Sequence, residues 1–136
     1  MKSLPSLERL NELFSLSDNG TLHRKVSRGR SKSGSVAGCF HKSSGYYTIK
    51  IDGESYPLHR VIFKMHRKYD PVEFEVDHID RNKRNNSPSN LRAVSHQENS
   101  FNQEAKGYHY CKRDKHWISR ICVDGKLIHL GCFAEE

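Results

Sequence analysis

A chain of 136 residues is the size of one ordinary domain, or of two small modules sharing a modest core, and it excludes a large enzyme core. Lys and Arg number 23 against 16 Asp and Glu, and the net charge of +7 is spread along the chain, which points to a polyanionic partner with nucleic acid foremost. No stretch approaches the roughly 18 apolar residues of a membrane-spanning helix, and the N-terminus lacks the apolar segment of a signal peptide, so a soluble cytoplasmic protein is expected.

Residues 1 to 12 suit a short amphipathic helix, with Leu4, Leu7, Leu10 and Leu13 at spacing three and Ser3 and Pro5 near its start. Phe14-Ser15-Leu16 and Thr21-Leu22-His23 flank Asn19-Gly20, a pair that supplies the positive backbone dihedrals of a tight β-hairpin. Residues 25 to 35 carry Lys25, Arg28, Arg30 and Lys32 and almost nothing apolar. They read as a basic loop, either a plain solvated linker or a phosphate-tracking segment that orders on a polyanion. Tyr46 to Ile51 alternates as a strand, Asp52-Gly53 turns, and Glu54-Ser55-Tyr56 returns as a second hairpin. After Pro57, helical spacing sets Leu58, Val61, Ile62 and Met65 on one face and Arg60, Lys64, Arg67 and Lys68 on the other. That cationic face is either solvated or a grip for phosphates.

The stretch from Glu75 to Asn102 is the most informative. It reads as a short strand ending at Asp77-His78, a polar loop containing Arg81, Lys83 and Arg84, a return strand near Leu91 to Val94, and a helix. Ser95 is the expected N-cap of that helix, with Glu98 in the capping-box position. The carboxylate of Asp77 and the amide oxygen of Asn99 are hard ligands suited to one divalent cation, Mg²⁺ or Mn²⁺, and neutral His78 can take a proton from water near neutral pH. Neighbours on a strand point to opposite faces, so the two can serve one reaction only where the strand ends and bends. His96, one helical turn before Asn99 and on its face, is the rival ligand, and Asn102 stands behind both. Taken singly, such Asp and Asn residues are commonly turn and cap formers.

This stretch resembles the HNH endonucleases, in particular the phage-type HNH homing endonucleases. The resemblance rests on the Asp77-His78 pair, on Asn90-Leu91 twelve residues after the histidine, and on Glu98-Asn99 at the helix start. It implies an α+β fold with a ββα-metal (His-Me finger) nuclease core. Asp77 and Asn99 would be the metal ligands, His78 the general base and Asn90 the residue whose amide pins the loop and orients His78. Many members carry a second histidine where this chain has Asn99, which keeps His96 open. The implied activity is metal-dependent hydrolysis of duplex DNA, as a homing endonuclease or nickase, by a monomer or weak dimer with no membrane attachment, in the host cytoplasm if phage-encoded. A DNA-binding or regulatory module with a vestigial site is the alternative.

Three strands are expected from Lys106 to Phe133, with Asp124-Gly125 closing a hairpin; one face would carry Arg120 with Tyr and His neighbours. Lys106-Gly107-Tyr108, Trp117 four residues before Ile121, and Leu130-Gly131 before Phe133 resemble the AP2-type DNA-binding domain, whose sheet packs on a following helix. Here the chain stops at Ala134-Glu135-Glu136, so either it is shortened or the apolar face packs elsewhere, on the N-terminal helix or a second copy. The expected segments are residues 1–57 for positioning DNA, 58–105 for the nuclease core and 106–136 for an incomplete AP2-like sheet. The expected DNA contacts are Arg28, Arg30, Lys32, Arg60, Lys64, Arg67, Arg81, Lys83, Arg84, Arg113, Trp117 and Arg120. Cys39, Cys111, Cys122 and Cys132 form no CxxC pair and read as reduced thiols, with a structural zinc the lesser alternative.

Overall fold

The computed structural model describes residues 3–102, 107–123 and 125–134. Helix α1 (Leu7–Leu13) is capped by Ser6, whose hydroxyl accepts from the Arg9 N–H at 3.2 Å. The expected start at Ser3 and Pro5 is thus displaced, because Leu4 is held outside the helix: it is buried, and its N–H donates to the Asp70 carboxylate at 2.9 Å. Strands β1 (Phe14–Leu16) and β2 (Leu22–Arg24) pair antiparallel around the Asn19-Gly20 turn, as the sequence pattern predicts. Segment 25–35 is more ordered than its composition suggests. Local bonds fold it back, including Arg28 with Ser31 in both directions and Ser33 Oγ to the Lys25 carbonyl, and Arg28 pairs with Asp52 at 3.0 Å.

A three-stranded antiparallel sheet follows, in the order β3 (Cys39–His41), β4 (Tyr46–Ile51), β5 (Glu54–Pro57). Its outer strand β3 has only three residues and gives no periodic signal in the sequence. Helix α2 (Leu58–Arg67) lies against α1, β1, β4, β5 and the later β6–β7 pair. Being packed on several sides, it buries Leu58, His59, Arg60, Val61, Ile62 and Phe63, not a single stripe. The expected cationic face is therefore corrected at two positions. Arg60 and Lys64 turn inward to Asp70, at 3.1 and 3.5 Å, and Lys64 also donates to the Leu4 carbonyl. Arg67 and Lys68 remain exposed. The core runs from Leu4, Leu10 and Leu13 through Leu22, Ile49 and Ile51 to Val61, Ile62, Val76 and Leu91.

Strand β6 (Glu75–His78) pairs antiparallel with β7 (Leu91–Val94), and helix α3 (His96–Phe101) completes a β-β-α unit. All of these elements belong to one compact unit, Met1–Gln103, and residues Glu104–Glu136 form a second. The second unit is an antiparallel sheet in the order β10 (Lys126–Phe133), β9 (His116–Val123), β8 (Tyr108–Cys111). The expected junction residues Lys106 and Asp124 lie outside the described residues. Register puts Tyr108 opposite Ser119 and Tyr110 opposite Trp117, on one face, and Arg120 opposite His129 on the other. The tyrosines thus accompany Trp117 instead of Arg120, since strand parity separates positions 117 and 120. Ile118 is buried, whereas Ile121, Leu127, Ile128 and Phe133 are exposed. No helix among the described residues is long and apolar enough to cross a membrane.

Candidate active site

Alternation along β6 turns Val76 and His78 into the core and leaves Glu75 and Asp77 on the opposite face, towards α3. Helix α3 has only six residues, and a complete capping box holds its start: Ser95 Oγ accepts from the Glu98 N–H, and the Glu98 carboxylate accepts from the Ser95 N–H at 2.8 Å. Asn99 and Asn102, one turn apart, meet the two β6 carboxylates. Asn102 Nδ2 donates to Asp77 Oδ2 at 2.7 Å and to the His78 carbonyl at 2.9 Å, and Asn99 Nδ2 donates to Glu75 Oε2. His96 Nδ1 lies 3.0 Å from Glu75 Oε1 with its side chain 91% exposed. Bonds from His96 and then Asn99 hold the Glu75 carboxyl below its ordinary range. Arg92, opposite Asp77 across the ladder, donates to Asp77 Oδ2 from Nε at 3.2 Å and from the terminal guanidinium at 3.0 Å.

His78 is only 3% exposed. Its Nε2 lies 3.0 Å from Asn86 Oδ1, which can only accept, so Nε2 is the donor of this bond. The His59 ring packs 5.0 Å from that of His78, and Tyr46 stands 5.3 Å from His59 and 6.1 Å from His78. Burial first, then the charges of His78 and Arg60, push His59 down to about 3, so it is neutral beside His78.

The loop between the strands is built around Asn90. Its Nδ2 donates to Asp80 Oδ1 at 2.9 Å and to the Asn85 carbonyl at 2.8 Å, while its Oδ1 accepts from the Asp80 N–H at 3.0 Å. Asn85 and then Asn90 keep the Asp80 carboxyl below its ordinary range. Asn90 thus closes the loop, and the bond to the His78 ring comes from Asn86.

Sequence reasoning missed Glu75, Asn86, Arg92 and His59. The β6 alternation carries a signal for Glu75, which must share the face of Asp77; Asn86 and His59 have none, because loop closure and helix packing bring them to His78. Among the described residues no three His, Cys, Asp or Glu side chains converge as a metal cluster. The donor chemistry is that of a hard cation held by few protein ligands: Asp77 Oδ1 and Asn99 Oδ1 make no hydrogen bond within the described residues, and Mg²⁺ is commonly held by one or two carboxylates with water and phosphate. The expected pair Asp77 and Asn99 shares the β6–α3 face without a direct bond, each being joined to a different partner.

Of the expected DNA contacts, Arg30, Lys32 and Arg67 are exposed, as are Arg81, Lys83 and Arg84 on the loop next to His78. Arg28 and Arg9 share Asp52, which they hold down to about 2. Arg113 pairs with Asp114, and Trp117 packs between Tyr108 and Tyr110 at 5.4 and 5.2 Å. The four cysteines are free.

The β6–β7–α3 unit, with a buried histidine and an acidic face under a capped helix, lies inside a recognisable span. Residues 56–101 match the HNH endonuclease family HNH_3. The matched span takes in α2, β6, β7 and α3. The chain is 43% identical over 58 residues, 42% of its length, to the uncharacterised HNH endonuclease L560 of Acanthamoeba polyphaga mimivirus, and spans 31% of that relative. Its fold is similar to that of the HNH homing endonuclease I-HmuI, solved for DNA binding and cleavage, with a TM-score of 0.55 and 23% identity over 92% of this chain and 75% of that one.

Proposed function

We propose that this chain is an HNH-type DNA endonuclease that hydrolyses phosphodiester bonds in duplex DNA with the help of one divalent cation, Mg²⁺ or Mn²⁺. The observation that carries the reading is the β6–β7–α3 unit, in which Asp77 and His78 stand at the strand end, Asn102 at the end of the capped helix donates to the Asp77 carboxylate and the His78 carbonyl, and Asn99 lies on the Asp77 face bonded to Glu75, all but Asn102 within the matched HNH span. In this reading the unit is a ββα-metal core. Asp77 and Asn99 would hold the cation, with His96 the rival of Asn99, and the cation would supply positive charge at the phosphate and the departing 3′ oxygen. His78 takes the proton of the attacking water at Nδ1, with Asn86 fixing its tautomer, and Asn90 keeps the loop closed around it. One such unit addresses one phosphodiester, so a single encounter leaves a nick, and a double-strand break needs a dimer or two encounters. The C-terminal sheet is read as an AP2-like second contact to DNA.

The test is cleavage of supercoiled plasmid, and of the locus that encodes the protein, with Mg²⁺ or Mn²⁺. Wild type nicks or cuts, and His78→Ala, with an unchanged circular dichroism spectrum, loses activity by about 10²-fold or more. If wild type leaves every such DNA intact with either ion, the reading is wrong.

A second reading is a DNA-binding module whose nuclease site is vestigial. It is favoured by the Arg92 guanidinium on Asp77 and by the burial of His78. Metal titration separates the two. A competent site binds one ion and loses it in Asp77→Ala, whereas a vestigial one binds DNA with no dependence on the ion.

A further inference from the structure

The loop after His78 faces the β3–β4 hairpin across an open cleft of about 440 Å³, within the usual size range of ligand pockets. Lys42, Arg81, Lys83 and Arg84 line it together with Phe40, and no carboxylate among the described residues does. The one acidic residue of the loop, Asp80, is turned back on the loop, where it accepts from Asn82, Asn85 and Asn90. Five other cations of the same unit are matched by carboxylates, Arg9 and Arg28 by Asp52, Arg60 and Lys64 by Asp70, and Arg92 by Asp77, whereas Arg81, Lys83 and Arg84 stand together in one cleft beside His78.

In the cleft two cations lie over aromatic rings, and Lys83 Nζ also donates to the Ser44 carbonyl at 3.3 Å. Lys83 Nζ sits 4.4 Å from the centroid of Tyr46, and the Arg84 guanidinium 4.6 Å from that of Phe40. The rings are themselves fixed, Phe40 against Tyr47 at 5.1 Å and Tyr46 against His59 at 5.3 Å. A ring face orients a cation without neutralising it, so both side chains are placed in advance with their charge left for an anion. Tyr46 also stands 6.1 Å from the ring of His78, which sets Lys83 beside the proposed cutting site. Arg81 extends the link, since its Nε donates to Asn102, which in turn holds Asp77.

We propose that this cleft is a phosphodiester subsite that binds the strand next to the bond to be cut, with Phe40 and Tyr46 as pedestals for Arg84 and Lys83. The identity of the strand rests on the nuclease reading; the affinity of the cleft for phosphodiester does not. The probe is a labelled DNA duplex bound without metal and followed by anisotropy over a range of salt, with plasmid cleavage run in parallel. Arg84→Ala and Lys83→Ala, surface changes that leave the fold intact, each lower the slope of log K against log salt by about one. Phe40→Leu keeps every cation and weakens binding roughly twofold to fivefold, with the slope unchanged.

If Arg84→Ala and Lys83→Ala bind with the affinity and slope of wild type while wild type still cleaves, the subsite is refuted and the nuclease reading stands. If wild type never cleaves but its binding shows these losses, the nuclease reading falls and the subsite is supported as a phosphodiester site. Binding by Phe40→Leu equal to wild type overturns the pedestal role. With the cut mapped, a neutral methylphosphonate next to it abolishes the difference between wild type and Arg84→Ala, and a persisting difference overturns the placement.

Discussion

At the scale of single residues, His78 depends on two neighbours that do no chemistry of their own. Asn86 Oδ1 is the acceptor for its buried Nε2. Asn86→Ala leaves that N–H without an acceptor, a loss of about 1–3 kcal/mol in stability, and frees the ring to turn. Urea unfolding should show the first effect and a fall in kcat larger than any change in KM the second; Asn86→Asp, which keeps the acceptor, should recover most of kcat. His59 makes a different prediction. Its folded value near 3 lies below the ordinary 6.5, so between these limits the unfolded chain binds the proton and the folded chain refuses it. Stability is therefore full above about pH 6.5 and declines as pH falls, by at most about 1.4 kcal/mol per unit. The depressed carboxyls of Asp52, Glu75 and Asp80 act in the same direction but only at lower pH, as their ordinary values near 4 are approached and passed. His59→Phe should flatten the urea midpoint between pH 6.5 and 4.5, and an unaltered slope there would mean that the imidazole is hydrated in the fold. Asp77, His78, Asn90 and Asn99 are legible in the sequence because their spacing is local to one β-β-α unit. Asn86 and His59 are not, because nothing in a run of letters says which loop amide or helix residue will close on a given ring.

At the scale of elements, the Asn19-Gly20 turn of the first hairpin supports the loop that holds His78. Gly20 is buried with φ +81°, and a Cβ placed on it would fall 2.2 Å from the Asn86 carbonyl oxygen and 2.8 Å from Ser87 Cα. Gly29 offers an internal comparison: φ is +56° there too, but a Cβ would meet nothing within 4 Å. Both Gly→Ala changes incur the positive-φ penalty of about 1–3 kcal/mol, seen as a drop in melting temperature on the order of 10 °C. Only Gly20→Ala must also displace Asn86, so it alone should lower kcat at a temperature where both variants are folded. Equal kcat in the two would show that the turn packs against the loop without positioning it. The turn itself is legible as Asn-Gly, and so is the start of α3 as Ser95 with Glu98, since hairpin and capping signals are short-range. The contact between the turn and residue 86 lies 66 positions along the chain and has no local signature.

For the whole molecule, the distribution of buried apolar side chains decides what can fold alone. The core cluster lies entirely between Leu4 and Leu91, and α1 joins α2 through packing and through Asp70, which binds the Leu4 N–H and the Arg60 and Lys64 side chains. In the second unit Ile118 is the one buried apolar residue among those described, and most of the large apolar side chains on β9 and β10 are exposed. Three short strands with so little burial supply almost none of the free energy that opposes chain entropy. A protein ending at Gln103 should therefore keep the melting temperature of the full chain to within a few degrees and retain a single cooperative transition. It should also retain plasmid cleavage, because Asp77, His78, Asn99 and Asn102 all lie before the cut. It loses the cations of the second unit, so its DNA binding should weaken and become less sensitive to salt. Calorimetry beside an anisotropy titration checks both halves. A fragment that melts far below the full chain would mean that residues 104–136 supply burial to the first unit. Unchanged affinity and salt slope would deny the C-terminal sheet any part in holding DNA, and leave the basic loop and the cleft beside His78 to grip the duplex alone.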